Sequence, residues 1–123
     1  MTRDDTAPQQ RPPLPPWTLV TSHGLVLLYI AGTPNATIRE ISEHLELTER
    51  RIADVIRDLE RAAMIKVTRE GRRNRYTLNS DAHFRHPLMS DIPINTFVSI
   101  WKREVARRRT AEAASDEVAA APQ

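Results

Sequence analysis

Two groups of arginines hold the chemistry that stands out in this chain. Arg50, Arg51 and Arg57 lie with Asp54 in one short stretch, and Arg69, Arg72, Arg73 and Arg75 fall within seven residues around a glycine. A guanidinium is a planar fork of N–H donors that matches paired acceptors, such as phosphate oxygens or the two acceptors on one edge of guanine. Asp54 can accept from a cytosine amino group, or simply hold Arg50 or Arg57 in position. Other chemistry has little material. Only three glycines occur and no phosphate-cradling loop is among them, no Ser, His and Asp arrangement can be argued, and the absence of cysteine removes thiolate metal sites and disulfides. His83 and His86 are three apart, but Pro87 argues against a continuous helix there and no acid or thiol cluster joins them. Neither a catalytic centre nor a metal or other cofactor is expected.

The first arginine group must be positioned by the stretch from Thr37 to Ala62. Thr37 and Glu40 have the spacing of a capping box, in which each side chain satisfies the other's free backbone N–H, so a helix starts there. Ile38, Ile41 and Leu45 line one face of it, and Glu46, Leu47 and Thr48 make a turn with Leu47 tucked inward. Thr48 can cap a second helix, in which Ile52, Val55, Ile56 and Leu59 recur at the period of one buried side. The opposite face is Arg50, Asp54, Arg57 and Arg61, with Arg51 at its flank. Two arginines in a first helical turn oppose the helix dipole at about 0.3 to 1 kcal/mol each. A phosphate backbone would offset that; the alternative is that Glu49 and Asp54 screen them on a solvated face.

The elements around this pair follow from periodicity. Ser22 can cap a helix running through LVLLYIA to Gly32, with Pro34 blocking its continuation. It is apolar nearly all round, as suits the centre of a domain. After Met64 the period shifts to two, predicting strands around Ile65 and Val67 and around Tyr76 and Leu78, joined by EGRRN with Gly71 permitting the turn. The four apolar residues face the helices, leaving Arg72, Arg73 and Asn74 at an exposed basic tip. The segment Ser80 to Ile92 reads as a connector resting on the domain through Phe84, Leu88 and Met89. From Pro93 a helix carries Ile94, Phe97, Val98, Trp101 and Val105 on one stripe.

Length and composition bound the rest. A chain of 123 residues has room for one domain. The 18 basic and 16 acidic residues nearly cancel, to a formal charge of +2, so only the distribution of charge is informative, including the run of Lys102, Arg103, Arg107, Arg108 and Arg109. Residues 1–16 hold five of the nine prolines and read as a disordered tail; residues 110–123, rich in Ala, read likewise. The most apolar stretch, Leu25 to Ala31, is far short of the roughly 20 residues a membrane span needs. No membrane association is expected, and a reducing cytoplasm fits.

Helix, helix, tight turn, helix and a hairpin with a basic tip is the order of a winged helix-turn-helix. The segment from about Ser22 to Pro87, above all IREISEHLELTERRIADVIRDLERAAMIKVTREGRRNRYTLN, resembles the winged-helix transcriptional regulators of bacteria and archaea of the MarR and ArsR type. The resemblance implies a mainly α fold with a small β-hairpin and an added C-terminal helix, the winged helix spanning 17–92 and the C-terminal helix 93–109. It implies a sequence-specific regulator of double-stranded DNA, nucleoid-associated in the cytoplasm. The helix 48–62 would lie in the major groove with Thr48, Arg50, Arg51, Asp54 and Arg57 nearest the bases, and the wing 69–75 would set Arg69, Arg72, Arg73, Asn74 and Arg75 on phosphates or in the minor groove. A homodimer is implied too. The stripe of Phe97, Val98, Trp101 and Val105 is the candidate for pairing, with Trp17, against the alternative that the helix folds back on its own core. A small-molecule effector is compatible with the resemblance, but nothing in the sequence defines a pocket. A winged helix used for protein contact, or one binding DNA without sequence preference, are the competing functions; the former has no need of a basic wing and a basic helix start together.

Overall fold

The computed structural model describes residues 13–120. Most of the expected N-terminal tail, residues 1–12, lies outside the described residues, as do 121–123; residues 13–16 hold no helix or strand. Four helices and one antiparallel hairpin follow: α1 (Ser22–Gly32), α2 (Ile38–Leu45), α3 (Glu49–Arg61), β1 (Ile65–Glu70), β2 (Arg73–Leu78) and α4 (Ile94–Ala120). This is a winged helix-turn-helix with an added C-terminal helix, mainly α with one small hairpin.

Each helix begins where its capping chemistry sits. Thr21, not Ser22, caps α1: its backbone is extended, and its hydroxyl accepts from the Gly24 N–H at 3.3 Å. Ser22 is already the first helical residue. At α2 the Glu40 N–H donates to the Thr37 hydroxyl at 3.1 Å and the Thr37 N–H donates to the Glu40 carboxylate at 2.9 Å, completing the capping box. Thr48 caps α3 by accepting from the Arg51 N–H at 3.0 Å. Caps of this kind are worth about 1 kcal/mol each.

The core gathers Val26, Leu27, Leu28 and Ile30 of α1, Ile41 of α2, and Ile52, Val55, Ile56 and Leu59 of α3, with Ile65 and Tyr76 of the hairpin. α1 packs against both α2 and α3, as its all-round apolar character predicts. Ile38, Leu45 and Leu47 are half-buried against this core. Left-handed residues close both ends of α3: Glu46 has φ 56° in the turn before it, and Ala63 has φ 59° where the chain leaves for β1.

The hairpin turns more tightly than EGRRN suggests. Glu70 pairs with Arg73, so the loop is Gly71 and Arg72 alone, and Arg73 and Asn74 belong to β2. Gly71 has φ +63° and Arg72 does not share the sign, the pattern of a type II′ turn, which places glycine first. Alternation puts Ile65, Val67 and Arg69 on one face with Asn74, Tyr76 and Leu78, and Lys66, Thr68 and Glu70 on the other with Arg73, Arg75 and Thr77. The Tyr76 N–H donates to the Pro34 carbonyl at 2.8 Å, tying β2 to the connection between α1 and α2. Asn79 closes the hairpin base, its side chain donating to the Ala63 carbonyl at 2.7 Å.

The C-terminal third departs most from expectation. Phe84 is half-buried, its ring 6.0 Å from that of Phe97, but Leu88 is 83% exposed and does not anchor the connector. The reason is local: His86 accepts from the Leu88 N–H and starts a one-turn 3-10 helix at Pro87–Met89 that swings Leu88 outward. α4 does not stop near Arg109 but runs to Ala120, so 110–120 is helical rather than a loose tail. Alanine is the strongest helix former, and the segment TAEAASDEVAA breaks the helix nowhere with Gly or Pro. Packing begins at the α1 cap and not at Trp17, which is 74% exposed, as Leu19 is at 91%.

Candidate nucleic-acid interface

With Ile52, Val55, Ile56 and Leu59 turned into the core, α3 presents its other side to solvent. Arg50, Arg51 and Arg57 are exposed there, and Asp54 is half-buried beside them. Asp54 accepts from Arg57 at 3.0 Å, one helical turn on. Of the two roles open to this carboxylate, that of holding Arg57 is the one the geometry fills. Glu49 stands in the same first turn, yet neither Arg50 nor Arg51 forms a hydrogen bond or ion pair through its side chain among the described residues. Asp58, which lies within reach of the Arg51 charge, is held below the usual carboxylate range first by its hydrogen bond from His23 at 2.8 Å, then by the charges of His23, Arg61 and Arg51. That contact pins α3 to the start of α1.

The wing arginines separate into different roles. Arg72 occupies the turn itself and is exposed, without a hydrogen bond or ion pair among the described residues. Arg69 donates to the Gly71 carbonyl at 2.8 Å and braces the turn from inside the strand. Asn74 lies on the domain-facing side, half-buried, with its amide 3.5 Å from the Tyr76 hydroxyl. It is therefore not a tip residue.

Arg73 is turned away from the tip. Its guanidinium donates to the Asn35 carbonyl at 2.9 Å and to the two oxygens of Glu40 at 3.3 and 3.5 Å. Glu40 thus serves the α2 capping box and clamps the wing to the helix pair. Its carboxyl is held below the ordinary range, first by the Thr37 N–H and then by Arg73. A depressed carboxyl supplies stability above its unfolded value of about 4.3 and loses it as pH falls through the lower folded value. Between pH 5 and 2 the melting temperature is expected to drop more steeply for the native chain than for Glu40→Gln. Parallel curves would show that this clamp adds nothing.

The apolar stripe of α4 is largely consumed within the monomer. Val98 is 1% exposed and Ile94 lies in the core with it, so Val98 is not available to a partner chain. Phe97 packs on Phe84, and the Trp101 ring lies about 3.5 Å from where a Cβ on Gly32 would stand. The Trp101 ring thus packs over the end of α1 at ordinary van der Waals distance. Trp101 and Val105 are half-buried, and Ile100, on the outer side, is 56% exposed. The alternative of a helix folded back on its own core is what the geometry shows as far as Trp101.

Two features escaped sequence reasoning. The Glu40–Arg73 clamp joins residues 33 apart and has no local signature beyond the capping-box glutamate. Lys102 and Arg103 belong to a charge run visible in the sequence, but their separation from Arg107 and Arg108 is a matter of helix geometry: Glu104 accepts from both Arg107 and Arg108 and leaves the earlier pair unmatched. That carboxyl is pulled down to about 2, chiefly by Arg107 and then by Arg108.

Among the described residues no three metal-ligating side chains cluster, and no helix is long and apolar enough to cross a membrane. His83 is 2.9 Å from the Ser90 carbonyl and His86 caps the 3-10 turn, so each imidazole has a local structural role. No family model matches the chain, and no curated protein does. Among solved structures, a mutant of MepR from a multidrug-resistant S. aureus clinical isolate is similar at 20% identity, over 76% of this chain and 74% of that one, with a TM-score of 0.41.

Proposed function

We propose that the protein is a sequence-specific double-stranded DNA-binding transcriptional regulator, cytoplasmic and nucleoid-associated. The observation that carries this reading is the pair Arg50 and Arg51, in the first turn of a helix whose other side is wholly buried, with no hydrogen-bonding or ion-pair partner for either guanidinium among the described residues. Such side chains at the start of a helix-turn-helix reader reach base edges in the major groove, where arginine pairs with guanine in two hydrogen bonds. Thr48 and Arg57 flank them, Thr48 through its position at the helix start and Arg57 through the support of Asp54.

The wing adds affinity through phosphates. Arg72→Ala is expected to weaken binding to all duplexes alike and to reduce the slope of log affinity against log salt by about 1. Arg73→Ala is expected to weaken binding with little change in slope, because its charge serves Glu40; a slope change as large as that of Arg72→Ala would return Arg73 to the phosphate contacts.

The test of the whole reading is selection of bound duplexes from a random pool. Enrichment of one motif supports a sequence reader, and no enrichment favours binding without sequence preference or a role in protein contact. An enriched inverted repeat would add the homodimer, which in this fold draws on the outer side of α4 at Ile100, on Val105 and on Trp17. Light scattering at micromolar concentration, with and without the selected duplex, measures it directly. A strict monomer in both conditions would reject it.

A further inference from the structure

Between β2 and the first half of α4 lies a cleft of about 480 Å³, with Arg75, Thr77, Asn95, Ser99, Lys102 and Arg103 among its lining residues. Its floor is made of core side chains, among them Ile30, Tyr76 and Val98, and no Asp or Glu lines it. The three cations are unmatched for separate reasons. Arg75 faces Thr68 across the hairpin, whereas Arg73 has Glu70 opposite and Glu40 beyond. Lys102 and Arg103 precede Glu104, whose two oxygens are taken by Arg107 and Arg108 one turn further along the helix. None of the three forms a hydrogen bond or ion pair through its side chain among the described residues. Three like charges converging on one hollow repel one another unless an anion sits between them, and hydroxyl and amide groups beside them supply neutral donors for its remaining oxygens.

We propose that this cleft binds a phosphate group, and that the phosphate belongs to the backbone of bound duplex DNA, a contact separate from α3 and the wing tip. Arg75 lies in β2 three residues on from Arg72 of the turn, within about 10 Å along the chain, so the cleft continues the basic line of the wing toward α4. The site gives α4 a part in DNA binding, and in its choice of phosphate source it rests on the reading of the protein as a DNA binder.

Two measurements on the full chain test it, comparing the native protein with Lys102→Ala/Arg103→Ala and with a Lys66→Ala control outside the cleft. Both substitutions of the pair are at exposed positions of a helix, where alanine is favoured, and a thermal melt confirms that the fold is retained. In a salt titration of duplex binding, the double variant is expected to lose about 2 from the salt slope, and the control less than half of that. In an amide NMR titration with inorganic pyrophosphate, the native protein is expected to show saturable shifts at Arg75, Asn95, Ser99, Lys102 and Arg103 that the double variant lacks. Saturable shifts with an unchanged salt slope would keep the phosphate site and assign it to a free phosphorylated ligand instead. No saturable shift together with an unchanged slope would overturn the site. If the native chain binds no duplex at all, the DNA reading fails, and the pyrophosphate titration alone decides the cleft.

Discussion

Exchange of both Arg50 and Arg51 for alanine is expected to lower affinity for the selected duplex by about 2 to 6 kcal/mol, roughly thirty-fold to more than ten-thousand-fold, if each arginine reads one guanine. Affinity for a scrambled duplex should fall far less, so the ratio between the two, measured by competition at fixed salt, is the quantity to follow. An equal loss on both duplexes would mean that the arginines touch only phosphates, and base reading would then have to be sought elsewhere on α3. The effect is not expected to come through folding. Both side chains are exposed, and removing two cations from the first turn of a helix relieves an unfavourable interaction with its dipole. A variant that melts slightly higher and binds much worse is the signature of residues kept for function at some expense to stability.

The largest loss of stability should follow from Ile52→Ala. Ile52 is 0% exposed, and it lies on the buried side of α3 in the core that α1 and α2 also share. Truncation there removes transfer energy and leaves a cavity, together about 2 to 5 kcal/mol. Domains of this size hold about 5 to 15 kcal/mol in all, so the variant would be marginal. Denaturant unfolding should show a lower midpoint with an unchanged slope. A loss under 1 kcal/mol would mean that the three-helix packing closes around the gap, and would count against α3 as a rigidly held reader.

What could be read from the sequence is what depends on near neighbours. The Thr37–Glu40 box, the buried faces of α2 and α3 and the alternation in the hairpin are set by residues within a turn or a pleat of one another, and the structure shows each of them. What could not be read is which surface covers which. Val98 and Phe97 share a stripe with Trp101, but only the packing of α4 against α1 and the rest of the core decides that the stripe is covered from within. Arg73 and Arg72 are adjacent and identical in type. A loop of two residues where five are expected sends one back to Glu40 and leaves the other at the tip. The extent of α4 is obscured for another reason: a low-complexity, alanine-rich composition suits a disordered tail and a helix equally until Gly and Pro are counted.

The left-handed conformation of Ala63 carries a consequence for engineering the protein. A residue with a Cβ at φ 59° costs about 1 to 2 kcal/mol relative to the right-handed form, and glycine there would remove that cost while adding about 0.4 to 1 kcal/mol of unfolded-chain freedom. Ala63→Gly is therefore a candidate for modest thermal hardening. Yet Ala63 is the joint at which the chain passes from the reader helix into the wing, its carbonyl gripped by Asn79, and the methyl group that strains the joint also narrows the angles it can take. A hardier variant would hold its wing less firmly, so, if the protein reads DNA as proposed, heat resistance and sharpness of grip would pull in opposite directions at a single residue that touches neither base nor phosphate.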